Sequence, residues 1–132
     1  MRQMLQDAQN GETILLVEDQ PEVSEVVTNM LRSSGYRVLP FLSPMEALQA
    51  AANDCTPIHL LITDNCMPEM HGVEFAERFR VIRPNCHILF VTGSIDSDIL
   101  EKFPEAHLMQ KPFDAHQLRQ KVREVLDNRR AA

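Results

Sequence analysis

Five short apolar runs, separated by stretches of helical periodicity, organise this chain. Residues 13–17 (TILLV) are continuously apolar or β-branched, the pattern of a strand covered on both faces. Glu18-Asp19-Gln20-Pro21 interrupts the run, offering Asp19 as a helix cap and Pro21 for a first helical turn. Val23, Val26, Val27, Met30 and Leu31 then recur at helical spacing until Ser33-Ser34-Gly35. Residues 36–41 (YRVLPF) alternate, and Pro40, which has no N–H for a ladder, assigns this second strand to a sheet edge. Ser43-Pro44 opens a second helix carrying Ala47, Leu48, Ala51 and Ala52, small residues that allow close packing.

Residues 58–63 (IHLLIT) read as a central third strand that ends against Asp64. A proline-containing loop follows, then a helix from Val73 with Phe75, Ala76, Phe79 and Ile82 on one face, stopped by Pro84-Asn85. Residues 87–91 (HILFV) give a fourth strand closed by Thr92-Gly93-Ser94. Residues 95–103 have weak helical character and are cut by Pro104, which predicts a short or irregular helix. A fifth strand at residues 107–110 runs into Lys111-Pro112, and Asp114 caps a last helix with Leu118, Val122, Val125 and Leu126 on one face.

Strand then helix, five times over, predicts an α/β domain with a doubly wound five-stranded parallel sheet. The edge character of the second strand and right-handed crossovers select the order 2-1-3-4-5 of the flavodoxin-like fold. The domain is expected over residues 12–128, with a polar leader or linker remnant at 1–11 and a short tail at 129–132.

Composition narrows the function. A chain of 132 residues with 44% hydrophobic content suits one globular domain. No run reaches the length of a membrane span and the start lacks a signal-peptide centre, so a cytoplasmic protein without membrane contact is expected. Cys55, Cys66 and Cys86 have no metal-ligand or disulfide spacing and read as reduced thiols. The net charge of -6 argues against a nucleic-acid partner. Arg119, Lys121, Arg123, Arg129 and Arg130 are interleaved with Asp114, Glu124 and Asp127, the pattern of a solvated helix face.

The chemistry gathers at the strand ends. In the predicted strand order the first and third strands are neighbours at the switch point, where ligands bind beyond the carboxyl ends. Glu18, Asp19 and Asp64 therefore meet, with Thr92 and Lys111 on the same rim. Two close carboxylates repel by about 4 kcal/mol at an effective dielectric of ~20. Such a cluster calls for a hard divalent cation, and Mg2+, which takes a few carboxylates and keeps its waters, suits it best. A carboxylate beside it could attack phosphorus, with Asp64 on the central strand the choice of nucleophile. Lys111 and Thr92 are placed to meet charge developing on the phosphoryl oxygens. No glycine-rich nucleotide loop follows the first strand, so the phosphoryl donor is expected to be another molecule.

Four motifs occupy these ends in order: ILLVEDQPEV (residues 14–23), DNCMPEMHG (64–72), VTGS (91–94) and QKPF (110–113). On them, the chain from about Glu12 to Asp127 resembles the receiver domain of two-component response regulators. The resemblance implies that Asp64 accepts a phosphoryl group from a histidine kinase or histidine phosphotransfer protein and that the domain catalyses its own phosphorylation and dephosphorylation. It implies Mg2+ held by Asp19, Asp64 and the backbone carbonyl of Cys66, with Glu18 acting through water, and phosphoryl contacts from Lys111 and Thr92. A cis Lys111-Pro112 bond is also implied. The run HLMQKPFDAHQLRQKVREVLD is similar to the end of receivers attached to hybrid histidine kinases. An effector domain beyond Ala132 is not expected, nor is direct transcriptional output from this polypeptide.

Three departures from the family pattern stand out. The aromatic residue usual three positions before the lysine is Leu108, and the segment from Gly93 to Gln110 is short. Positions that influence phosphoryl lifetime carry Cys66 and Ser94, neither an amide nor a carboxylate, which predicts slow self-dephosphorylation. Cys66 is expected to be a buried loop thiol, and His59 and His87 to be packed or solvated rather than ligands. His71, on the loop after Asp64, is expected to be an exposed polar residue. Two rival readings remain: a partner-binding pseudo-receiver, and a haloacid-dehalogenase-like phosphatase, which needs an Asp where Cys66 stands.

Overall fold

The computed structural model describes residues 11–93, 97–104 and 106–128; residues 1–10 of the expected leader, Ser94 and the expected tail at 129–132 lie outside the described residues. The chain runs β1 (Thr13–Val17), α1 (Pro21–Ser33), β2 (Arg37–Phe41), α2 (Pro44–Asn53), β3 (Leu60–Asp64), α3 (Gly72–Ile82), β4 (His87–Thr92), α4 (Ser97–Lys102), β5 (His107–Gln110), α5 (Ala115–Asn128). All strands are parallel, in the order β2-β1-β3-β4-β5 that the sequence predicts.

Burial follows from that order. Every residue of β1 is buried, and β3 is buried up to Asp64, because both strands are covered on two faces. On one side, Leu15, Leu61 and Phe90 pack against Ala47 and Leu48 of α2, Phe75 and Phe79 of α3, and Ile99 of α4. On the other, Ile14, Leu16, Ile62 and Leu89 pack against Val27 and Leu31 of α1 and Leu118, Val122 and Val125 of α5. Pro40 lies on the edge strand β2, where its missing N–H costs no ladder bond.

Element ends show where local chemistry decides. Gly35, at φ 91, turns the chain out of α1 while Tyr36 donates to the Leu31 carbonyl, so β2 starts at Arg37. Asp114 and Gln117 form a reciprocal capping box, each backbone N–H donating to the other's side chain at 2.9 and 2.8 Å. Asp19 does not cap α1, contrary to expectation. Gln20 is the N-cap and makes no side-chain cap bond, and the helix leans on Pro21 at its first turn. Beyond the Asp54 N–H bond to the Ala50 carbonyl, Arg83 ties down the far end of α2 and the chain after it, its guanidinium donating to the carbonyls of Ala51, Asp54 and Thr56.

Arg123 corrects the reading of α5 as a solvated basic face. Its guanidinium is buried and forks onto both oxygens of buried Glu12 at 2.8 Å, with further bonds to Asp127 and the Tyr36 hydroxyl. The pair ties the start of β1 to α5 across 111 positions of sequence.

Candidate functional site

Register brings the predicted residues to one rim. Val17 lies beside Thr63, so Glu18 and Asp19 emerge next to Asp64. Thr92 lies beside Gln110, so Lys111 emerges past Thr92, and the Lys111 N–H donates to the Thr92 carbonyl at 2.9 Å. One carboxylate oxygen from each of Glu18, Asp19 and Asp64 falls within 4.8 Å of the others. The Lys111 ammonium spans the cluster, 3.0 Å from Glu18 Oε1 and 3.0 Å from Asp64 Oδ2. Thr92 is buried at the same rim, and the Lys111-Pro112 bond is cis.

The electrostatics are lopsided. Burial raises the Glu18 carboxyl, a rise opposed by its hydrogen bonds from Lys111 and the Gln20 N–H and reinforced by the charge of Asp64. Burial works against the Lys111 ammonium too, but hydrogen bonds to Glu18 and Asp64 outweigh it and the lysine is raised. Three carboxylates thus face one ammonium. A hard cation with oxygen ligands fits this donor set, because it neutralises the excess charge and accepts the open geometry of a few carboxylates plus water.

The loop from Asn65 to His71 is held from below. Met67 and Met70, three apart, are buried in the core under α3, while Cys66 between them and Asp64 is exposed. The expected buried thiol is therefore corrected: the inward places are taken by the two methionines. The Cys66 N–H donates to Asp64 Oδ1 at 3.2 Å, fixing the carboxylate from the loop side. Gly72 closes the loop, its N–H donating to the Asn65 carbonyl at 2.8 Å. A Cβ there would sit 2.5 Å from the Asp64 carbonyl oxygen and 2.6 Å from Asn65 Cα, so only glycine admits this approach. Ser43 adds an outer tether by donating to Glu69 Oε1 at 2.6 Å while also capping α2. Sequence reading missed these supports, though the Met67/Met70 spacing and a glycine opening a helix are visible signals.

A family model of the response regulator receiver domain matches residues 14–123. The chain belongs to that family. It is 33% identical over 119 residues to the response regulator receiver protein CpdR of Brucella abortus, covering 86% of this chain and 95% of that protein. It is 30% identical over 124 residues to the sensor kinase CckA of the same organism, covering 92% of this chain but 13% of the kinase. Among solved structures, a CheY-like receiver domain protein from Methanospirillum hungatei superposes with a TM-score of 0.83 at 25% identity, covering 91% of this chain and 97% of that one. The receiver domain of the hybrid histidine kinase CckA superposes at 0.75 with 30% identity, covering 86% and 98%.

As a receiver domain, this chain shows its departures in three dimensions. Leu108 is partly buried on edge strand β5, packed against the α3 side of the core. Helix α4 has six residues, in line with the short segment read from the sequence. His59 is structural: its Nδ1 accepts the Thr13 N–H at 2.9 Å just ahead of β3, which starts at Leu60 rather than Ile58. Cys86 is partly buried, and burial pushes its thiol up to about 12, whereas Cys55 is exposed. Among the described residues no helix is long and apolar enough to cross a membrane.

Proposed function

We propose that Asp64 is the phosphoacceptor of this receiver domain and that a phosphohistidine on a histidine kinase or phosphotransfer protein is its donor, in a cytoplasmic setting. Receiver domains interact with such proteins, and the observation that carries the assignment here is the Lys111 ammonium held 3.0 Å from Asp64 Oδ2. An Asp64 oxygen attacks phosphorus, the P–N bond breaks, and its electron pair returns to the donor imidazole. The product is an aspartyl phosphate. Lys111, already charged and aimed at the site, meets negative charge on the transferring group, and the Thr92 hydroxyl donates to a phosphoryl oxygen.

Asp19, Asp64 and the Cys66 backbone carbonyl would hold Mg2+, with Glu18 acting through water. The ion supplies charge neutralisation of the phosphoryl oxygens. Between α1 and the start of α5, an apolar groove of Val23, Val26, Met30, Pro112 and Phe113 opens beside Lys111. A donor protein that brings its phosphohistidine to Asp64 would cover it. Cys66, exposed next to the acceptor, offers no amide or carboxylate to orient an attacking water, which supports slow self-dephosphorylation.

Intact mass after incubation with acetyl phosphate and Mg2+ tests the assignment. Wild type should gain one phosphoryl group that persists for minutes, and Asp64→Asn should gain none. No added phosphate on wild type overturns the reading, rapid repeated consumption of the donor points to a phosphatase, and a lifetime of seconds refutes the slow-hydrolysis claim.

A further inference from the structure

We propose that Phe103 couples the Thr92 end of β4 to helix α4: its contact with Phe90 links strand to helix, giving the rim a route to the surface that needs no aromatic ring on β5. The proposal rests on Asp64 being phosphorylated as above and names how that event is read out.

Alternation along β4 puts Phe90 and Thr92 on the same face of the sheet, the face covered by α3 and α4. Phe90 is fully buried there and meets the ring of Phe103 at a centroid distance of 6.0 Å and an interplanar angle of 56°. Phe103 directly follows α4, and its N–H donates to the Ile99 carbonyl at 2.8 Å, so ring and helix move together. Ile99 is itself fully buried in the same cluster. From α3, the Arg80 guanidinium covers the Phe103 ring at 4.3 Å from its centroid, and Glu77 approaches Lys102 at 4.0 Å.

A packed interior does not deform continuously. When Thr92 shifts to donate to a phosphoryl oxygen, Phe90 two residues back on the same strand moves with it, and the ring seated on Phe90 belongs to the α4 segment. Leu108 on β5 offers no comparable ring, and β5 is an edge strand that is only partly buried. Helix α4 thus carries the response, and Leu100, exposed on it, moves with it at the surface.

The test is amide exchange on the full chain with and without acetyl phosphate and Mg2+, with phosphate occupancy read by intact mass. In wild type, phosphorylation should change exchange across residues 97–104 by at least about fivefold, the low end of ordinary coupling, with a smaller change across 107–110. In Phe103→Leu the protein should take up phosphate as wild type does, but the α4 response should be lost. Arg80→Met keeps an apolar stem against the core and removes the cation over the ring, and should weaken the response. It carries the test if fast exchange in β1 and β3 shows that Phe103→Leu has loosened the fold. A full α4 response in both variants, or a wild-type response centred on β5, overturns the proposal. Phosphorylated wild type with α4 silent overturns this proposal alone, whereas wild type that gains no phosphate overturns the phosphoacceptor assignment with it.

Discussion

Two clusters of buried charge sit at opposite ends of the sheet and are built on opposite principles. At the amino ends of the strands, Arg123 meets Glu12 through two parallel hydrogen bonds, with further bonds to Asp127 and the Tyr36 hydroxyl. Among the described residues the buried charge there is matched one to one, Asp127 lying at the exposed margin, and the geometry is bidentate. At the carboxyl ends, Glu18, Asp19 and Asp64 crowd within 4.8 Å around one ammonium. A fold that needed both clusters only for stability would balance both. The imbalance at the upper rim marks it as a place waiting for positive charge, and the balance at the lower one marks a structural lock.

The largest expected effect breaks the lock. Arg123→Met leaves Glu12 buried without its bidentate partner and should cost about 3–5 kcal/mol in chemical denaturation. Changing Glu12 to Gln in the same chain should recover much of that loss, because the buried charge that lost its bidentate partner is gone. A cost below about 1 kcal/mol for the single variant would show that the pair contributes no more than an exposed one.

Neither partner of this lock announces itself in sequence. Arg123 stands among alternating acids and bases on α5, a pattern identical to a solvated face, and its partner is 111 residues away. The sheet was far more legible: TILLV and HLMQ mark β1 and β5 at their observed bounds, and Pro40 marks the edge. Strand periodicity is a local property, so it survives in one dimension. The convergence of Glu18, Asp64, Thr92 and Lys111 was legible for the same reason, since parallel order alone carries strand ends to one rim. What escaped was whatever depends on three-dimensional competition for inward places. Met67 and Met70 displaced Cys66 outward, and Gln20 rather than Asp19 sits at the start of α1.

Alkali should sharpen the contrast next. Burial pushes the Tyr36 hydroxyl from 10.0 up to about 12, so the folded chain keeps a proton that the unfolded chain releases. Stability is then fully present below about pH 10 and falls as pH rises through 12, by about 3 kcal/mol at most from this group. Cys86, raised by burial from 9.0 to about 12, adds a loss that begins at lower pH. In a Cys86→Ala background, denaturation between pH 9 and 12 should show the Tyr36 share, and Tyr36→Phe should flatten it. An unchanged alkaline slope in Tyr36→Phe would place the proton elsewhere.

The smallest effect is the most telling about the upper rim. Asp64→Asn removes one of three crowded carboxylates, relieving its contribution to the raised Glu18 and its repulsion of Asp19. It also weakens the contact with Lys111, which leaves that ammonium facing Glu18 at 3.0 Å. The two changes oppose each other, so in the absence of divalent ions the variant should match wild type or exceed it by up to about 1 kcal/mol. Adding Mg2+ should then raise the melting temperature of wild type more than that of the variant, because a ligand stabilises in proportion to its affinity for the folded state. Melting curves with and without Mg2+ separate the possibilities. A variant markedly less stable than wild type before the ion is added would mean that Asp64 is held by favourable contacts, as Glu12 is. The two ends of the sheet would then be alike, and the upper cluster would lose its claim to be a site.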